Sequence, residues 1–173
     1  MKETQYKDDY YNFPYQKDLS EGRTNNGGFD LINEPWRIDE ITEAENFPEL
    51  YKFLKDLNRP TSSFITLGCG AYCSQNCFVG YVEISFRCAA AATNLSFVSD
   101  LDRQFYAWAS RNSKALEEYS RQALVWEYAW FSFYNKPRQL KVCIFFKTAT
   151  QSDAGRLLEA IAFYLQNSCE LPG

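Results

Sequence analysis

Apolar residues recur along this chain with two periods. From Asn46 to Leu57, Leu50, Phe53, Leu54 and Leu57 repeat at three- and four-residue intervals, the stripe of an amphipathic helix. Asn46 stands at the position of a helix cap. Pro48 suits the first turn, where its missing N–H would have no partner anyway. Asn58-Arg59-Pro60 ends the pattern. The same spacing returns in Leu101, Phe105, Trp108 and Ala109, after Ser99-Asp100 and with Asp102 favourable to the N-terminal dipole. Asn112-Ser113 interrupts that helix, and Leu116 and Tyr119 continue it. A last helix carries Leu157, Leu158, Ile161 and Leu165 and opens at Thr150-Gln151-Ser152-Asp153, a capping-box-like start.

Between these stripes the period falls to two. Ser63 to Tyr72 and Phe78 to Cys88 read as strands, the second alternating Phe78, Val82, Ile84, Phe86 and Cys88 with Val79, Tyr81, Glu83, Ser85 and Arg87. Trp36 to Ile41 and Ala89 to Phe97 read as short further strands. Ala123 to Tyr134 is the most apolar, with Trp126, Tyr128 and Trp130 on one side and Val125, Glu127, Ala129, Phe131 and Phe133 on the other. Asn135-Lys136-Pro137 turns the chain into Gln139 to Lys147, where Leu140, Val142, Ile144 and Phe146 alternate with Lys141, Cys143, Phe145 and Lys147.

The order is helix, strands, helix, hairpin, helix. It predicts an α+β fold: an antiparallel sheet of about four to six strands with helices mainly on one face. Residues 1–35 read as an irregular, aromatic and acidic N-terminal segment packed on a single α+β domain of residues 36–173. Asn25-Asn26-Gly27-Gly28 marks a turn in it. The element order resembles that of bacterial secretion chaperones, small acidic proteins that bind another protein.

Charge is unevenly placed. The chain of 173 residues carries a net charge of −4. Residues 1–45 hold eleven acids against five bases, and residues 46–173 hold eleven against thirteen. An acidic protein is a poor nucleic-acid binder, because phosphate contacts need Lys and Arg. No apolar run approaches the roughly 20 residues of a membrane span, and the start lacks a secretory h-region. Those features argue for a cytoplasmic protein with no membrane partner.

The chain has no histidine. Ser-His-Asp and Cys-His catalysis, His-ligated zinc and two-His iron sites are thereby excluded. Gly68-Cys69-Gly70 follows a strand but opens neither a dinucleotide fingerprint nor a Walker loop. Cys69, Cys73 and Cys77 recur every four residues, with Cys88 beyond. Four thiolates suit a soft metal, yet zinc knuckles bring cysteines in pairs two residues apart, and none occurs here. In a hairpin, Cys73 and Cys77 would flank the turn within reach of a disulfide. Without a secretory signal, free and mostly buried thiols are the expected state. No cofactor and no catalytic residue is expected.

Aromatic residues make up 17% of the chain, more than a small core needs, and surplus aromatics favour partner surfaces. The strand of Trp126, Tyr128 and Trp130 is apolar on both sides. One side meets the helices; the other must meet the N-terminal segment, a second subunit or a partner. A homodimer is therefore one open outcome. Asp39, Glu40, Glu43 and Glu45 form an acidic run beside Trp36, a charged patch with an aromatic anchor. The expected partner-binding residues are these five with Trp126, Tyr128 and Trp130. The expected function is a non-enzymatic protein-binding module, in its most concrete form an immunity-type inhibitor of a toxin or effector. The alternatives are a secretion-chaperone-like escort, and a thiol-dependent or small-molecule-binding protein using Cys69, Cys73 and Cys77.

Overall fold

A computed structural model describes residues 1–4, 10–18 and 26–172. Residues 5–9 and 19–25 of the N-terminal segment, with Asn25 of the expected turn, lie outside the described residues. The chain forms a mixed α+β fold around a six-stranded, mostly antiparallel sheet. Two antiparallel hairpins supply its centre. β3 (Phe64–Ser74) pairs with β4 (Cys77–Phe86), and β5 (Leu124–Phe133) pairs with β6 (Gln139–Thr148). β4 and β6 join the hairpins, giving β3-β4-β6-β5. Beyond β5, the short strands β1 (Lys2–Glu3) and β2 (Asn12–Phe13) lie parallel to it at two levels. No expectation named these two strands, because two-residue strands carry no period.

The helices gather on one face. α1 (Thr42–Glu45), α2 (Pro48–Leu57), α3 (Ala89–Ala92), α4 (Leu95–Ser99), α5 (Leu101–Asn112), α6 (Lys114–Ala123) and α7 (Gln151–Asn167) surround the main core. Val82, Ile84, Leu140, Val142 and Ile144 point into it from the sheet, and Leu50, Leu54, Phe105, Leu158 and Ile161 from the helices. Burying each such side chain contributes about 1.5–3 kcal/mol. Ser113 caps α6 by accepting from the Leu116 N–H, and Thr150 caps α7 by accepting from the Asp153 N–H.

Three local expectations are corrected. Trp36 to Ile41 is not a strand: Pro35–Glu40 is a 3₁₀ helix, begun by Pro35 and closed by Ile41 N–H donating to the Ile38 carbonyl. Ala89 to Phe97 is not a strand either, since four successive alanines and the Asn94 cap over Phe97 N–H favour the helical turns α3 and α4. Asn46 does not cap α2; Phe47 occupies that position without a capping side chain.

The opposite face carries a smaller cluster. Phe13, Tyr15, Ile65, Leu67 and Phe131 are buried together there. Residues 10–15 and 26–34 cross this face as a strap. Its two limbs touch where Gly28 N–H donates to the Tyr15 carbonyl at 3.0 Å. A Cβ on Gly28 would lie 2.8 Å from Tyr15 N and 2.7 Å from the Phe13 ring, so the close approach requires glycine.

Candidate functional site

Two features compete for chemical attention on the strap face. The first is a buried ion pair. Glu83 on β4 and Lys141 on β6 project to this face, and Lys141 Nζ lies 2.9 Å from Glu83 Oε1. Lys141 is 0% exposed and Glu83 4%. Tyr15 of the strap closes the group: its hydroxyl donates to Glu83 Oε2 at 2.6 Å and accepts from Lys141 Nζ at 2.7 Å. Lys141 donates again to the Tyr10 carbonyl at 3.3 Å, and its ammonium sits 4.8 Å from the Tyr15 ring centre. Among the described residues, its three ammonium protons have three acceptors. A cation saturated in this way has no proton direction left for a substrate. The group anchors the strap to the sheet.

The second feature is a cleft of about 1010 Å³ beside β3. Tyr10, Tyr15 and Phe29 of the strap form one wall. Glu40, Ile41 and Glu43 form the other, with Leu54 behind them. Its floor is the stretch Thr66 to Tyr72 of β3 together with Tyr81. Burial declines along β3: Phe64 to Leu67 are buried, Gly68 to Ala71 are half-buried, and Tyr72 and Cys73 are exposed.

The acidic run lies along this cleft. Asp39, Glu40 and Glu45 are exposed, Glu43 is half-buried, and Trp36 is 65% exposed. Neighbouring side chains brace Asp39 and Glu40. Arg37 lies 4.1 Å from the Phe29 ring centre and pairs with Glu34 and Glu40, which holds its guanidinium pKa above the usual value. Tyr51 donates to Asp39, and the carboxylate raises the Tyr51 phenol pKa.

The Trp126 stripe goes elsewhere. Trp126 is buried on the helix face, 5.3 Å from the Phe105 ring, and Tyr128 and Trp130 pack partly buried against the same core. Trp126 is therefore a core residue and not contact surface. The opposite side of β5 is divided. Phe131 is buried beneath the strap and Phe133 stacks on Phe13 at 5.3 Å, whereas Val125 is 57% exposed.

The cysteines are dispersed. Cys73 pairs with Phe78 and Cys77 with Ser74, so the two thiols project to opposite faces and cannot form the disulfide considered above. No disulfide joins any of the six cysteines, and only Cys143 is buried, so the expectation of mostly buried thiols is corrected. Among the described residues, no group of three or more His, Cys, Asp and Glu side chains is placed to hold a metal ion. Burial, with Glu43 and Glu83 adding to it, pushes the Cys69 thiol up to about 12. That direction opposes thiolate reactivity.

Sequence reasoning missed the Lys141–Glu83–Tyr15 group. One signal was present: Glu83 and Lys141, opposite in charge, stand on the wetter sides of two apolar strands. The cleft left no signal, because distant segments make it. No helix among the described residues is long and apolar enough to cross a membrane. The chain matches no family model, no curated protein and no solved structure.

Proposed function

We propose that this chain is a non-enzymatic protein-binding module that captures a basic partner at its acidic segment and the adjoining cleft. An immunity-type inhibitor of a toxin or effector is the concrete form of that reading. One observation carries it: Trp36, Asp39, Glu40 and Glu45 are all exposed on one short, braced stretch, and Glu40 continues into the cleft wall. An exposed aromatic with several carboxylates suits a partner rich in Lys and Arg, because complementary charge speeds association and selects the partner. The saturated Lys141 group and the neutral Cys69 thiol add no reactive centre beside it.

The test is co-purification of the tagged chain from cells that also make the product of its neighbouring gene. Binding that weakens with salt, and weakens by tenfold or more when Asp39, Glu40, Glu43 and Glu45 are reversed to lysine, supports the reading. A chain that holds no protein partner yet turns over a substrate overturns it.

The secretion-chaperone-like escort is favoured by one feature, the exposed end of β3 inside the cleft. The two forms separate on the state of the partner. An inhibitor binds a folded, active protein and abolishes its activity. An escort binds an unfolded stretch and leaves the activity of the folded protein intact.

A further inference from the structure

Side chains on a strand alternate between the faces of its sheet, so a cavity over one face touches every second residue. The cleft touches Leu67, Gly68, Cys69, Gly70, Ala71 and Tyr72 without a gap. An unbroken run of this kind is met from the side, along the strand's edge. Among the described residues β3 is the last strand of its sheet, and no further strand lies beside it.

The hydrogen-bond phase of that edge follows from the register. Ser63 O accepts from Arg87 N–H, which sets the ladder as far as Thr66, and a bulge between Thr66 and Gly68 then shifts the register by one residue. At the other end Ser74 and Cys77 close a two-residue turn. Two-residue turns close on a hydrogen-bonded pair, and bonded pairs alternate with non-bonded ones. Ser74, Tyr72, Gly70 and Gly68 therefore bond inward to β4. Cys69, Ala71 and Cys73 turn their N–H and C=O groups outward. No described residue bonds those outward groups.

The buried end of the same strand is treated differently. Phe64 N–H donates to Ser62 Oγ, and Phe64 O accepts from Arg87 Nε. Thr66 N–H donates to Asn58 Oδ1 at 3.1 Å. Side chains seal the edge up to Thr66, and the cleft begins where the seal stops.

We propose that the open edge of β3, from Gly68 to Cys73, receives an extended basic segment of the partner as an added β-strand. This inference rests on the protein-binding reading and specifies its contact. The occupant is a single strand because the edge is recessed between two walls, the strap and the Glu40–Glu43 stretch. A second copy would bring its own walls against these. The occupant is basic because, among the described residues, three carboxylates, Asp18, Glu40 and Glu43, line the slot against one cation, Lys17. Main-chain bonds to Cys69, Ala71 and Cys73 supply affinity, and alternate Lys or Arg side chains reach the acidic wall.

The test uses a display library of random ten-residue peptides selected against the full chain. The expected binders carry Lys or Arg at alternate positions. Their binding protects the Cys69, Ala71 and Cys73 amides from hydrogen exchange. Ala71→Pro removes an outward N–H and no ladder bond, and is expected to lower affinity tenfold or more, about 1.4 kcal/mol. Glu40→Lys with Glu43→Lys should lower it similarly. If Ala71→Pro does not fold, amide exchange on the unaltered chain with a selected peptide decides. Absence of binders, or binders that protect other amides and are unaffected by Ala71→Pro, overturns the edge. A dimer that Ala71→Pro dissociates also overturns it, by making a second copy the occupant. If the co-purified partner is lost on reversal of the acidic run but indifferent to Ala71→Pro, the edge fails while protein binding stands.

Discussion

The sheet ends in two different ways. At β5 the chain adds strands to its own edge. Thr4 N–H donates to the Tyr128 carbonyl at 2.8 Å, Ser132 N–H to the Tyr11 carbonyl at 2.6 Å, and Tyr134 N–H to the Phe13 carbonyl at 2.8 Å. At β3 only the first residues are sealed, by side chains, and the remainder faces a cleft. An open strand edge invites pairing, and proteins generally cover, shorten or charge such edges. Here one edge is covered by strand addition from the N-terminal segment, and the other retains the geometry that such addition uses. The covered edge shows what a guest strand needs: main-chain bonds at alternate residues and an anchor. At β5 the strap, of which β2 is part, has its anchor in Tyr15, held by Glu83 and Lys141.

Removing that anchor should give the largest effect. Lys141→Met leaves Glu83 buried without its cation, and breaking a buried pair costs about 3–5 kcal/mol. Thermal unfolding measures the loss. Amide exchange at Ser132 and Tyr134 should rise at the same time, because the strap carries their acceptors. Replacing the whole group by Lys141→Met, Glu83→Leu and Tyr15→Phe should recover most of the stability, since apolar groups of similar volume often serve as well as a buried pair. A loss below about 1 kcal/mol in the single variant, the range of an exposed pair, would mean that the group anchors nothing.

These two ends were unequally legible in the sequence. The strands β3 to β6, the helices α2 and α5 to α7, and the break at Ser113 follow from period and caps, and they stand in the structure within a few residues. β1 and β2 did not follow, because their pairing is set by β5 and by the strap's aromatic contacts and not by local pattern. The Trp126 stripe was read correctly as a face, yet alternation does not say which face meets helices. Tyr128 and Trp130 share the helix side with Trp126, so the candidate surface contracts toward Trp36, Asp39, Glu40, Glu43 and Glu45. The cleft needed tertiary structure altogether, since its walls lie far apart in the chain.

Two further changes act on the strap alone. Gly28→Ala would drive a methyl group to 2.8 Å from Tyr15 N, which has little room to move. The cost should be about 1–3 kcal/mol, read from urea unfolding. The other limb is tied by Asp30, buried and accepting from Ile32 N–H, Asn33 N–H, Asn33 Nδ2 and the Tyr134 hydroxyl. Burial raises its pKa, but these bonds outweigh burial and hold it below the ordinary 3.8. Its contribution is therefore complete above pH 3.8 and is lost as pH falls through the lower folded value. Asp30→Asn should cost about 1–3 kcal/mol at neutral pH. It should also flatten the acid loss of stability below about pH 4, measured by unfolding across a pH series. An unchanged acid slope would remove Asp30 from the account.

The smallest effect is the sharpest comparison of the two edges. Ser132→Pro on β5 deletes a donor that the Tyr11 carbonyl uses, and should cost about 1–3 kcal/mol. Ala71→Pro on β3 deletes a donor that no described residue uses. Gly70, the residue before it, already lies in a strand, the conformation that a following proline favours. Edge strands tolerate proline at outward-facing positions, so the change in free-protein stability should stay below about 1 kcal/mol. Both variants carry the same chemical alteration at the same kind of site, and unfolding midpoints compare them directly. Equal losses would mean that the β3 edge is already engaged within the chain. Unequal losses, large at β5 and slight at β3, leave that row of amides and carbonyls available to a guest strand.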